Sequence, residues 1–233
     1  MNLKHIIVQM PINDITLTWA RNNFPHLTQT QYSDKRNNYL LLSRSLLEYI
    51  LQQYFNIHKL PEIAYLKHGK PYFLHHSELS FNITHTNHTM AIIVANNAPV
   101  GIDIEMIKIR KNFQGLEEKV LHTIEKSWLT QQPNYLHGFF TLWSAKEAYL
   151  KATGTGLSGL TTLRLDMHQQ FAYGPLENGY LYIDTEPKNE SFVCYLPTKI
   201  TPNLYSFDGQ VLMPFSREWQ AIKCISHYPK KTN

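Results

Sequence analysis

The sequence is short of cysteine: only Cys194 and Cys224 occur among 233 residues. They lie in separate strand-like segments with no second ligand at zinc-site spacing, so they are read as buried thiols in a reducing cytoplasm rather than as a disulfide. Long apolar runs are missing too. No stretch approaches the roughly 20 consecutive apolar residues of a membrane helix, which excludes a span. The opening Met1-Asn2-Leu3-Lys4-His5-Ile6-Ile7-Val8 is cut short by Gln9 and Pro11, so it lacks the long apolar region of a secretion signal and reads as a first strand. Nor is there a basic stripe interleaved with aromatics. Lys and Arg are scattered, and the formal charge of +4, with 12 histidines in reserve, fits a small anionic substrate or an acidic protein partner better than nucleic acid.

What is there is the material of a globular protein. With 43% apolar and 12% aromatic residues, 233 positions suffice for one large domain or two small ones, each with a real core. Ser33-Asp34 resembles an N-cap ahead of a helix to about Phe55, with Tyr39, Leu42, Leu46, Tyr49, Ile50 and Gln53 along one stripe. Strand-like runs follow at 62–66, 79–84 and 89–95, then the turn signal Asn96-Asn97-Ala98-Pro99 and a returning strand at 100–106. The second half starts with helices over 116–130 and 135–153, broken at Pro133 and ended by Gly154-Thr155-Gly156. Strands are expected at 161–166, 179–183, 191–196, 203–207 and 218–226. Helix followed by antiparallel strands thus occurs twice, which predicts an α+β chain of two related lobes, 1–99 and 100–233, with the chemistry near their join.

Strand alternation in Val100-Gly101-Ile102-Asp103-Ile104-Glu105-Met106 sends Val100, Ile102, Ile104 and Met106 to one face, read as core, and Gly101, Asp103 and Glu105 to the other. Two carboxylates about 7 Å apart along a strand repel unless something neutralises them, and a hard divalent cation would do so. A strand whose acids face water is the plainer reading. The helix Thr141-Leu142-Trp143-Ser144-Ala145-Lys146-Glu147-Ala148-Tyr149-Leu150-Lys151 adds Glu147 and Lys151 one turn apart. That pair is either an i,i+4 salt bridge or a third oxygen ligand beside a phosphate-binding lysine.

Taken together, Gly101-Ile102-Asp103-Ile104-Glu105 and Trp143-Ser144-Ala145-Lys146-Glu147-Ala148-Tyr149-Leu150-Lys151 resemble the paired signature of the 4'-phosphopantetheinyl transferase superfamily. The continuation Ala152-Thr153-Gly154-Thr155-Gly156-Leu157 also resembles that family, as do Gly69-Lys70-Pro71 and Phe81-Asn82-Ile83-Thr84-His85-Thr86 upstream. The resemblance spans roughly 30–160, and the chain length is similar to that of the two-lobed, monomeric Sfp-like group.

The resemblance implies an enzyme that moves the phosphopantetheine arm of coenzyme A onto a serine of an apo acyl or peptidyl carrier protein, with Mg²⁺ as cofactor. It implies Asp103, Glu105 and Glu147 as metal ligands, and Glu147 and Lys151 as catalytic groups. Lys70, Thr84 and His85, helped by Arg36 and Arg44, would contact coenzyme A, with the site in the cleft between lobes. A cytoplasmic monomer without nucleic acid or membrane partners is expected. Trp143 would pack beside Glu147, and Glu125 is a further candidate acid whose plain reading is a solvated helical glutamate. Thr84 stands where the family more often has serine, and Phe24 to Tyr32 lacks the basic residues that relatives often place there. A Mg²⁺-dependent phosphohydrolase and a non-catalytic module that binds coenzyme A or carrier protein are the competing readings.

Overall fold

The computed structural model describes residues 4–109, 113–186 and 189–226. They form β1 (His5–Pro11), α1 (Asp14–Asn23), α2 (Asp34–Phe55), β2 (Ile63–Tyr65), β3 (Pro71–Phe73), β4 (Leu79–His85), β5 (Thr89–Asn96) and β6 (Gly101–Met106). These are followed by α3 (Phe113–Val120), α4 (Thr123–Leu129), α5 (Tyr135–Thr153), β7 (Arg164–Asp166), β8 (Phe171–Tyr173), β9 (Tyr180–Asp184), β10 (Glu190–Leu196), β11 (Leu204–Phe207), β12 (Leu212–Pro214) and β13 (Trp219–Ile225). The fold is α+β. No helix among the described residues is long and apolar enough to cross a membrane.

Two compact units result, and the join near residue 100 is crossed twice: residues 66–70 cluster with the second unit and 202–216 with the first. In the first unit a five-stranded sheet runs β12-β11-β1-β5-β4, antiparallel except that β1 pairs with β11 in parallel, Ile7 opposite Leu204. The strand expected at 203–207 therefore forms, but beside the first strand of the chain. Pairing across about two hundred residues leaves no local mark in the sequence. Helix α2 lays Leu42, Leu46 and Ile50 against this sheet, where Ile6, Val8, Met10, Ile92 and Val94 complete the core. Gln53, expected on that stripe, is exposed. Ser33 occupies the N-cap position of α2 without a side-chain cap bond, and Asn56 ends the helix in the left-handed region. Helix α1 was not anticipated, although its capping box is in the sequence: Asn13 accepts from the Thr16 N–H at 3.0 Å and donates back to Thr16 Oγ1 at 3.2 Å.

The second unit holds a six-stranded sheet, β6-β10-β9-β13-β8-β7, antiparallel except for β13 with β8. Helix α5 lies on it and buries Phe139, Leu142, Ala145 and Tyr149. The single helix expected over 116–130 is two, because the chain breaks before α4 and His122 caps it. Both units begin with a strand, then helices, then further strands. Cys194 and Cys224 are buried free thiols. Burial pushes both thiols up, Cys224 to about 12, so neither ionises near neutrality.

Candidate active site

Edge strand β6 and helix α5 build the centre. Gly101 is what lets them touch: a Cβ there would stand 1.9 Å from Ala148 O and 2.8 Å from Ala152 N, both backbone atoms of α5. The close approach settles which face of β6 does what. The face carrying Gly101, Asp103 and Glu105 meets the helix, while Ile102 and Ile104 are buried on the other side, so neither face is left to water. The expected division into one core face and one acidic face is corrected accordingly: the acids lie at the margin of the α5 packing layer.

Lys151 Nζ donates to Asp103 Oδ1 at 2.7 Å and to Ile102 O at 3.2 Å. Trp143 Nε1 donates to Glu105 Oε1 at 2.8 Å, so this indole both packs and holds a carboxylate. Glu147, half-buried between Trp143 and Lys151 in the helix sequence, has its carboxyl pushed up mainly by burial. The negative charges of Asp103 and Glu105 push it the same way, and the Lys151 ammonium opposes them. Asp103 and Glu105 thus act on Glu147 as like charges.

Among the described residues, no three His, Cys, Asp or Glu side chains are already gathered closely enough to hold a metal ion. The donor chemistry nonetheless suits a hard divalent cation, because three carboxylates supply oxygen only. The Lys151 ammonium supplies part of the missing positive charge at Asp103.

Lys70 reaches the same helix. Its Nζ donates to Ala152 O at 2.5 Å, satisfying one of the last carbonyls of α5 where the helix dipole favours a cation. Burial pulls its ammonium down to about 8. Gly154 closes α5 in the left-handed conformation.

The remaining candidates belong to the first unit. Thr84 is buried in β4 and His85 is exposed at its end, stacked on Tyr39 of α2 with ring centroids 4.4 Å apart. Arg36 is exposed, its guanidinium 3.9 Å from the Tyr32 ring centroid. Arg44 lies half-buried two turns further along α2. The Tyr39–His85 stack was missed because a lone tyrosine on a helix stripe signals core packing.

Glu125 is not solvated. It is fully buried and accepts from His122 N at 2.7 Å, Leu165 N at 2.8 Å and Lys146 Nζ at 2.8 Å. Lys146, equally buried, also donates to Leu163 O at 3.2 Å. This network ties α4, α5 and the start of β7 together through Lys146, the residue that precedes Glu147 in α5.

Residues 99–195, which contain both β6 and the acidic turn of α5, match the family model described as "4'-phosphopantetheinyl transferase superfamily". Over those residues the chain is similar to that superfamily. Among similar proteins, one from Haemophilus influenzae is 36% identical over 115 residues, 48% of each chain. The Escherichia coli O157:H7 protein named 4'-phosphopantetheinyl transferase AcpT is 29% identical over 165 residues, 69% of this chain and 82% of that one. The Aneurinibacillus migulanus protein named 4'-phosphopantetheinyl transferase gsp is 35% identical over 121 residues, 50% of this chain and 48% of that one. The matched stretch thus spans about half the length of the Haemophilus and Aneurinibacillus relatives and most of the Escherichia one.

Proposed function

We propose that this chain transfers the 4'-phosphopantetheine moiety of coenzyme A to a serine of an apo acyl or peptidyl carrier protein, releasing adenosine 3',5'-bisphosphate. The observation that carries the reading is the meeting of Asp103, Glu105, Glu147 and Lys151 where β6 packs on α5, within the family-matched stretch. In the reaction the serine oxygen bonds to the β-phosphorus of the pyrophosphate, and the bond from that phosphorus to the bridging oxygen breaks.

Asp103, Glu105 and Glu147 would hold Mg²⁺, which when bound offsets charge on the pyrophosphate oxygens. Glu147 accepts the serine proton, directly or through a water, and its raised proton affinity brings it toward the range of an effective general base. Lys151 exchanges its contact with Asp103 for the phosphate and stabilises charge on the leaving oxygen. Trp143 keeps Glu105 turned inward. Lys70, Thr84 and His85 bind coenzyme A, with Arg36 and Arg44 contributing charge to the same task; the protein works as a monomer in the cytoplasm.

The test is intact mass of a panel of apo carrier proteins after incubation with this chain, coenzyme A and Mg²⁺, with EDTA and Glu147→Ala as controls. A gain of one phosphopantetheine that both controls abolish is expected. Unmodified carriers throughout, or near-normal transfer by folded Glu147→Ala, would sink the assignment.

A further inference from the structure

One exposed histidine is held more firmly than its place at a strand end requires. The His85 imidazole, at the end of β4, stacks on Tyr39 of α2 with ring centroids 4.4 Å apart and planes inclined by 21°. Its Nδ1 lies 3.2 Å from Thr86 O. A carbonyl oxygen only accepts, so Nδ1 carries the proton of this contact. Nε2, across the ring, has no protein partner among the described residues, and the residue is exposed. The imidazole thus has one fixed edge and one open edge.

The platform under it is firm. Tyr39 is half-buried and packs against the core of the first unit, and its hydroxyl donates to the same Thr86 O at 3.5 Å. The turn that follows β4 is pinned as well: Thr86 Oγ1 accepts from the N–H groups of His88 and Thr89 at 3.1 Å each, and Lys35 Nζ of α2 donates to Asn87 Oδ1 at 3.3 Å. A stack of this kind adds some stability in any protein. Here it also fixes a ring whose free nitrogen is open to solvent, with the Lys35 ammonium 5.8 Å from the Tyr39 ring centroid to favour an anion. A side chain that is oriented beforehand loses less freedom when a ligand arrives.

We propose that Tyr39 is a positioning residue for coenzyme A binding: its ring holds the His85 imidazole with Nδ1 on Thr86 O, so that Nε2 faces a phosphate of the ligand. This rests on the reading of His85 as a coenzyme A contact. Tyr39 itself touches no phosphate and acts through the histidine.

Calorimetry measures coenzyme A binding to the full chain without metal, comparing wild type with Tyr39→Phe, Tyr39→Leu, His85→Ala and the double variant Tyr39→Leu/His85→Ala. Leucine keeps apolar bulk on α2 but removes the ring, and affinity should fall about three- to tenfold, the cost of ordering one side chain. Tyr39→Phe keeps the stack and stays within about twofold of wild type. In the His85→Ala background Tyr39→Leu should weaken binding no further, because the two residues act as one unit. An equal loss in both backgrounds shows Tyr39 acting through the fold and overturns the proposal, as does wild-type affinity in folded Tyr39→Leu. A measurement on the wild type alone covers the case of a leucine variant that does not fold. The His85 ring protons, assigned by their disappearance in His85→Ala, should be shifted upfield by the phenol ring both before and after coenzyme A is added, with Nε2 responding and Nδ1 still protonated. Departure of the imidazole from Tyr39 on binding overturns the proposal. Wild-type affinity in His85→Ala overturns His85 as a contact, and the role of Tyr39 with it, while leaving transfer itself standing. Absence of coenzyme A binding by the wild type overturns this proposal and the transferase reading together.

Discussion

Lys151 Nζ lies 2.7 Å from Asp103 Oδ1, joining the last turn of α5 to the edge strand β6. The aspartate side chain is 6% exposed and the lysine 27%. The ammonium therefore serves as a built-in counter-charge for an acid that would otherwise be costly to bury, and the same ammonium is proposed to act on the phosphate.

Removing that counter-charge leaves Asp103 buried without the Lys151 ammonium. Lys151→Ala should lose about 2 kcal/mol of stability, less than the ~3–5 for breaking a fully buried pair because the lysine is partly solvated. Turnover should fall about a hundredfold or more. Added Mg²⁺ should recover more stability in this variant than in wild type. Urea unfolding with and without Mg²⁺ measures the difference; equal Mg²⁺ gains in both proteins would refute the shared role of ammonium and cation.

Glu147 gives a pH signature. Its folded-state proton affinity is raised, so the protonated form is favoured in the native protein. That contribution is fully present below the ordinary glutamate range and is lost as pH rises through the higher folded value. Glu147→Gln, permanently neutral, should be more stable than wild type at pH 7, with the advantage vanishing in acid. It should also be inactive. Denaturant midpoints at pH 7 and pH 4 check the sign; a variant less stable than wild type at pH 7 would contradict the burial and like-charge account.

Gly101→Ala places a methyl against the backbone of α5, which cannot yield as a side-chain tip can. Overpacking at about 1–3 kcal/mol is the expected cost, and α5 should shift away from β6. Carboxylates and lysine would then lose register even though none has been changed. Calorimetry together with transfer assays tests this, with a fully active, fully stable variant as the outcome that speaks against close approach.

The Glu125–Lys146 pair is fully buried, its lysine preceding Glu147 in α5. Lys146→Met leaves Glu125 with its two backbone donors but without the buried ammonium, and about 3–5 kcal/mol should be lost. Glu125→Gln combined with Lys146→Met removes both charges and should restore part of that loss. Thermal unfolding of the single and double variants measures the coupling; additive effects would show that the pair does not act as a unit.

Local sequence pattern is enough to mark the helix over 135–153, the strands around 79–106, and the two motifs that carry the acids. Such features are local: a period of 3.6 or 2 and a fixed spacing of residues are written in neighbouring positions. It also placed Asp103 and Glu105 on one side of a strand and Glu147 and Lys151 on one side of a helix. Tertiary structure decided what those sides face. The missing side chain of Gly101 permits the acidic face of β6 to pack on α5, so the acids are drawn into a helix–sheet layer instead of facing water. Only long-range pairing brings Leu204 beside Ile7 and Ser191 beside Glu105. Burial, which depends on the whole fold, turns Glu125 from a plausible surface acid into the acceptor of a buried ionic network and raises the proton affinity of Glu147. Spacing determined which groups could act together; the packing of helix on sheet decided their charge, partners and reach.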